Sequence, residues 1–167
     1  MPFVIRPATR EDAPVLAELL NAIIARGGTT ALEEPYSADG LADAYLVGPD
    51  VICCFVAVDA ETGTPEGFQT LGRYPSLPGG WGDIGTFARV GGTQRGIGTA
   101  LFAATREEAR RQGLQWINAT IRADNTGGLA FYGRMGFEDY DVSPAVPLKD
   151  GTPVDRVSRR YPLTGQA

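Results

Sequence analysis

The segment Gly91–Gly113, "GGTQRGIGTALFAATREEARRQG", constrains the fold most, because it sets flexible glycines directly against the start of a long helical pattern. A helix N-terminus carries unpaired N–H groups and a partial positive charge, so glycines there let phosphate oxygens approach the backbone without a Cβ in the way. A flexible strand-to-helix turn accounts for an isolated pair of such glycines equally well. The flanking sequence has to separate these readings.

Upstream, "FVIRP" suggests a short strand, Thr9 an N-cap with Asp12 as its capping-box partner, and Leu16, Leu19, Leu20 and Ile23 the buried face of a helix ended by Gly27–Gly28. "LADAYLV" suggests a short second helix. "VICCFVAVD", "GFQTLGRY" and "WGDIGTFARV" form a series of three strands with turn residues between the first two. Downstream of Gly113, a C′ residue, come a strand "LQWINATIRA", a shorter helix from Asn125 to Gly136, and closing strands "FEDYDVS" and "PVDRVSRRYPL". The expected order is β, α, α, β, β, β, α, β, α, β, β, an α/β chain with one sheet covered by helices. The 167 residues fit one domain spanning 1–167, with no repeat or linker.

Composition narrows the function. A net charge of −5 argues against a nucleic-acid partner, and no run of about 18 apolar residues suggests a membrane span. No basic-then-apolar leader is visible, which makes the cytoplasm the expected compartment. The chain has no histidine, so imidazole bases and His-based triads are excluded and acid–base work falls to carboxylates, tyrosine, lysine, cysteine or water. The two cysteines, Cys53 and Cys54, are adjacent in an apolar run, poorly placed to bond each other, and are expected to be core. No metal-binding set is present.

Two familiar phosphate loops fit the glycine segment badly. A P-loop needs a Lys at the helix start, where this chain has "GIGTAL". A dinucleotide fingerprint needs a third glycine and an acidic residue closing the next strand, which ends "TIRADN" after a preceding hairpin. The segment instead resembles the pyrophosphate loop of the GCN5-related N-acetyltransferases, [QR]-x-x-G-x-[GA], as Thr93-Gln94-Arg95-Gly96-Ile97-Gly98 followed by Thr99. Thr93 departs from the pattern, with Gln94 displaced by one position. The family's second signature, an Asn, a Tyr seven residues on, and Gly-Phe closing the helix, is matched by Asn125, Tyr132 and Gly136-Phe137. Gly127 and Gly128 depart from the usual helix formers; at about 1 kcal/mol each relative to Ala they are expected to loosen the helix start.

The resemblance implies the acetyltransferase fold, a mixed and mostly antiparallel sheet of six to seven strands with about four flanking helices, and acetyl-CoA as cofactor. Residues 94 to 99, namely Gln94, Arg95, Gly96, Ile97, Gly98 and Thr99, would cradle the pyrophosphate; Thr86, Phe87 and Ala88 would pair through their backbone with the pantetheine arm, and Asn125 would contribute. Tyr132 alone suggests a core aromatic; beside the glycine loop it is the candidate general acid. A phenol of pKa near 10 stays protonated at neutral pH and can donate to a thiolate whose conjugate acid has a pKa near 8.5.

The attacking amine must be neutral, which calls for a base. Asp83 shares the strand parity of Phe87 and takes the place where phosphinothricin-type acetyltransferases, which the opening "IRPATREDAPVLAELLNAI" and the loop "TTALEEP" loosely resemble, have a proposed glutamate base. A solvated carboxylate at a strand start is the competing explanation. Thr120 offers no base where ribosomal-type N-terminal acetyltransferases have a glutamate, which counts against a protein N-terminus as acceptor. The acceptor pocket is expected from Thr29, Thr30, Glu34, Gln69, Arg73 and Trp81. Arg156, Arg159 and Arg160 suit either an anionic group or strand-edge solubility. The expected activity is acetyl transfer from acetyl-CoA to a primary amine of a small molecule by direct attack in a ternary complex, with no nucleic acid or membrane as partner and a homodimer admitted. A peptide acetyltransferase of the same fold and a non-catalytic acyl-CoA binding module are the alternatives. The charges of the long helix, including an expected Glu107–Arg111 pair, suggest a solvated face.

Overall fold

The computed structural model describes residues 2–92 and 95–164. Seven strands form one sheet in the order β1-β2-β3-β4-β5-β7-β6: β1 (Phe3–Pro7), β2 (Val51–Asp59), β3 (Pro65–Gly72), β4 (Trp81–Ala88), β5 (Trp116–Arg122), β6 (Glu138–Pro147) and β7 (Pro153–Pro162). Every neighbouring pair is antiparallel except β4 and β5. Four α-helices, α1 (Ala13–Arg26), α2 (Ala38–Leu41), α3 (Ile97–Arg111) and α4 (Thr126–Met135), cover the two faces. This is the α/β order, with a mixed, mostly antiparallel sheet of seven strands and four helices, that the sequence predicted. Among the described residues no helix is long and apolar enough to cross a membrane.

Periodicity accounts for the layering. Leu16, Leu19, Leu20 and Ile23 of α1 are buried against Cys54, Val56 and Phe68 of the sheet, together with Leu41 and with Leu46 from a π turn at Ala42–Leu46. The opposite face packs Phe102 and Ala109 of α3 and Tyr132 of α4 against Leu71, Ile84, Ile117, Ala119 and Ile121. A register shift between Val51 and Cys53 lets Ile52 and Cys53 both face α3 before alternation resumes with Cys54 facing α1. Burial raises both thiols, Cys53 to about 12, so they are packing groups with little thiolate character.

The caps follow the sequence with two differences. Thr9 N–H donates to Asp12 Oδ2 at 2.8 Å, and Arg6 holds the same carboxylate with bonds of 2.9 and 2.8 Å, so its pKa lies below the ordinary range. On α3, Arg111 pairs with Glu108 one turn back, at 3.0 and 2.5 Å, rather than with Glu107. The start of α4 is fastened despite its glycines: Asn125 Oδ1 accepts from Gly128 N–H at 2.9 Å, a cap of about 1 kcal/mol that offsets one glycine's propensity loss. A Cβ on residue 128 would come within 2.5 Å of Asn125 Nδ2, so glycine there gives the capping amide its room.

What positions the site is the single parallel junction. Strands β4 and β5 pair only at Trp81↔Trp116, Gly82↔Ile117 and Asp83↔Asn118. Beyond Asp83, β4 stays registered with β3 as far as Gly67↔Ala88, and β5 with β7 as far as Arg122↔Arg156. The sheet therefore splits between β4 and β5, opening toward the start of α3.

Candidate active site

A cavity of about 1240 Å³ occupies this split, lined on one side by Asp83–Val90 and on the other by Asn118, Thr120 and Arg122. Of the residues predicted for the site, Thr29, Thr30, Arg73, Trp81, Asp83, Thr86, Phe87, Ala88, Gly98, Asn125 and Tyr132 all line it. Two predicted acceptor contacts lie elsewhere. Glu34 is exposed and pairs with Lys149 Nζ at 2.7 Å. Gln69 is fully buried behind the wall, because Phe68 faces α1 and the next residue of a strand must point the other way.

At the helix end, Gln94 and Thr93 lie outside the described residues. Arg95 and Thr99 are exposed, and Ile97 is buried with Leu101 against Ala57. The two glycines have different reasons. Gly96 is the N-cap of α3 at φ +81°, left-handed backbone that glycine takes without strain, with nothing within 4 Å of a Cβ. Gly98 is a close-packing residue, since a Cβ there would stand 2.7 Å from Phe131 Cε1 of α4.

Tyr132 is buried, and its hydroxyl lies 2.9 Å from Thr86 Oγ1 across the split. Burial drives its pKa well above the ordinary phenol value, partly offset by the Thr86 hydrogen bond, so the ring keeps its proton through the neutral range. Thr86 in turn accepts from Gln69 Nε2 at 2.9 Å.

Asp83 stands on the other side of the strand. Burial pushes its carboxyl up to about 6, with the hydrogen bond from Asn118 Nδ2, 2.7 Å to Oδ1, pulling the other way. Among the described residues Oδ2 receives no hydrogen bond. Asn118 is itself fixed, donating to Thr120 Oγ1 at 3.1 Å and accepting from the Tyr140 hydroxyl. Trp81 stacks on Trp116 and meets Tyr140 at a tilt, with centroids 5.7 Å apart in each case, and Arg160 lies over both of the latter rings at 4.5 and 5.1 Å. A carboxylate titrating near neutrality and a protonated phenol thus face one cavity from opposite faces of one strand, which suits a base and an acid in a single proton-coupled transfer.

Residues beyond the predicted set also line the cavity: Asn118, Tyr140, Arg122 and Arg156. Asn118 shares the parity of Thr120 in "WINATIR", a polar residue in an otherwise apolar strand core, and that was the available signal. Arg122 is met by Asp124 at 2.9 and 2.7 Å and by Thr30 O at 3.3 Å. Arg156, its cross-strand neighbour, has an Nε that is buried with no hydrogen-bond partner among the described residues.

Residues 18–137 match the model of the acetyltransferase (GNAT) family. An L-methionine sulfoximine/L-methionine sulfone acetyltransferase of Pseudomonas aeruginosa is 33% identical over 102 residues, 60% of this chain and 59% of that protein. An uncharacterised N-acetyltransferase of Methanocaldococcus jannaschii is 40% identical over 48 residues, 29% of this chain and 21% of that one. The matched stretches thus span less than two thirds of these relatives. Among solved structures, a phosphinothricin acetyltransferase from Sinorhizobium meliloti in complex with acetyl-CoA superposes with a TM-score of 0.83 at 20% identity, covering 100% of this chain and 93% of that one. A GCN5-related N-acetyltransferase from Kribbella flavida gives 0.81 at 22%, covering 96% and 97%.

Proposed function

The chain belongs to the acetyltransferase (GNAT) family, and from that premise we propose that it is a cytoplasmic, one-domain enzyme that moves an acetyl group from acetyl-CoA to a primary amine of a small molecule. The observation that carries this reading is the split of β4 from β5, with Tyr132 and Asp83 facing the cavity it opens. Coenzyme A suits the residues present: at Thr86–Ala88 the β4 edge that faces β5 is not paired with a strand among the described residues, and Gly127 leaves the cavity wall open. The backbone of Thr86, Phe87 and Ala88, residues Gln94, Arg95, Gly96, Ile97, Gly98 and Thr99, and Asn125 would hold it. When bound, it supplies an acetyl group activated as a thioester.

Asp83, through Oδ2 or a water upon it, takes the proton from the acceptor's ammonium group and frees the lone pair for direct attack. Tyr132 gives the hydroxyl proton that a departing thiolate requires. Cys53 and Cys54 take no part, so no covalent enzyme intermediate is invoked. Arg156, lining the acceptor side with an unmet Nε while Arg122 is neutralised by Asp124, favours an acceptor bearing a carboxylate. The sulfone- and phosphinothricin-directed relatives accord with that preference.

The test is thiol release from acetyl-CoA over a panel of methionine sulfone, methionine sulfoximine, phosphinothricin, their carboxamides, polyamines and peptides, with acetyl-CoA binding measured separately. Turnover of the carboxylate-bearing amines is expected. Turnover of peptides alone would make this a peptide acetyltransferase, and binding without thiol release from any amine would make it a binding module.

A further inference from the structure

Resting on that reading, we propose that Gln69 and Thr86 are positioning residues that aim the Tyr132 proton into the cavity, through a one-way chain in which Gln69 Nε2 donates to Thr86 Oγ1 and Thr86 donates to Tyr132 Oη. The geometry is an unbranched line of polar groups, each link 2.9 Å long, running from a fully buried amide to the cavity wall. Direction follows from counting protons. A threonine hydroxyl has one hydrogen and two lone pairs. Once Thr86 accepts from Gln69, the acceptor it has for its own hydrogen among the described residues is Tyr132 Oη. Were Tyr132 to donate instead, the Thr86 hydrogen would have no acceptor among the described residues.

The amide orientation fits this direction. Gln69 Oε1 is buried with no partner among the described residues, and the hydrogen bond the side chain makes there is through its N–H end. Turning the amide over would give the carbonyl to Thr86 and leave both N–H groups without a partner among the described residues. With the observed orientation the phenol accepts from behind and its own hydrogen is free to point into the cavity. No proton leaves Thr86 or Gln69 at any stage. When Tyr132 has given up its proton, the Thr86 O–H remains as a donor to the phenolate, which makes that transfer easier.

The decisive readout needs neither substrate. With 3,5-difluorotyrosine in place of Tyr132, fluorine lowers the phenol's pKa into the range in which the fold persists, and fluorine NMR follows its ionisation in the ligand-free protein. A donor to the phenolate lowers that midpoint, whereas an acceptor from the phenol raises it. Thr86→Val should therefore raise the midpoint by about one pH unit, Gln69→Leu should move it the same way, and Thr86→Ser should restore it. Thr86→Ala serves if the valine protein does not fold. A midpoint that falls, or stays, in both Thr86 variants overturns the proposal.

In turnover, Thr86→Val should lower kcat about tenfold or more with KM for acetyl-CoA unchanged. It should add nothing to the loss in Tyr132→Phe, because both remove one function. Additive losses would mean a merely structural threonine and would also overturn it. If no amine is acetylated by the wild-type chain, the functional reading fails by itself, and the fluorine titration still decides whether Thr86 donates to the Tyr132 phenolate.

Discussion

Replacing Asp83 by asparagine tests whether the carboxylate is held ready for proton transfer at a cost to the fold. The carboxyl is raised from 3.8 to about 6, first by burial, while the Asn118 hydrogen bond works in the opposite sense. Because the native value lies above the unfolded one, the native state binds more protons between roughly pH 4 and 6. Stability is then full below the unfolded value and is lost as pH rises through about 6. A gap of about two pH units at about 1.4 kcal/mol each makes ionised Asp83 destabilising by about 3 kcal/mol at pH 8. Asparagine keeps an oxygen for the Asn118 N–H and carries no charge. Asp83→Asn should thus gain about 2–3 kcal/mol over wild type between pH 4 and pH 8, measured by urea unfolding at each pH. The same substitution should lower kcat/KM by about 10²-fold or more and abolish an acid limb with a midpoint near 6. A stability difference that is flat with pH would refute the burial reasoning, and an acid limb surviving in the variant would assign the base to another group.

Tyr132→Phe should reduce kcat by about 10²-fold or more while costing about 1 kcal/mol in stability, seen in steady-state kinetics and denaturant melts. Gly98→Ala should destabilise by about 1–3 kcal/mol, because its Cβ meets Phe131 at 2.7 Å; Phe131→Leu in the same chain should recover part of the loss in a melting temperature. Arg156→Gln should raise KM for a carboxylate-bearing acceptor about tenfold or more, leaving acetyl-CoA affinity as it was by calorimetry.

The strands and helices were legible because their signals are local. The i, i+3, i+4 spacing of Leu16, Leu19, Leu20 and Ile23 and the apolar run through Cys53 and Cys54 each determine an element without reference to the rest of the chain. Motif spacing and strand parity pointed to Tyr132 and Asp83, and both line the one cavity. Gln69 was misjudged because its role depends on which face of β3 it occupies and on Thr86 across the strand, a tertiary fact that no window of sequence contains. Glu34 was misjudged likewise, its partner Lys149 being far along the chain. Gly98 looked like its neighbour Gly96, yet one answers to backbone conformation and the other to the ring of Phe131. Arg156 could not be told from Arg159 and Arg160 in sequence; the register that sets it opposite Arg122 brings it to the cavity wall.

The three-residue junction of β4 with β5 also makes the sheet two leaves on a short spine. Amides along Ile84–Ala88 that face the gap have no β5 carbonyl to hold them, so native-state hydrogen exchange there should be governed by local opening rather than by global unfolding. A ligand lying in the gap would tie one leaf to the other, slowing that exchange and raising the melting temperature with its concentration. The split is thus expected to be a region of low local stability, and occupancy of the cavity would be the control on how far the two leaves breathe.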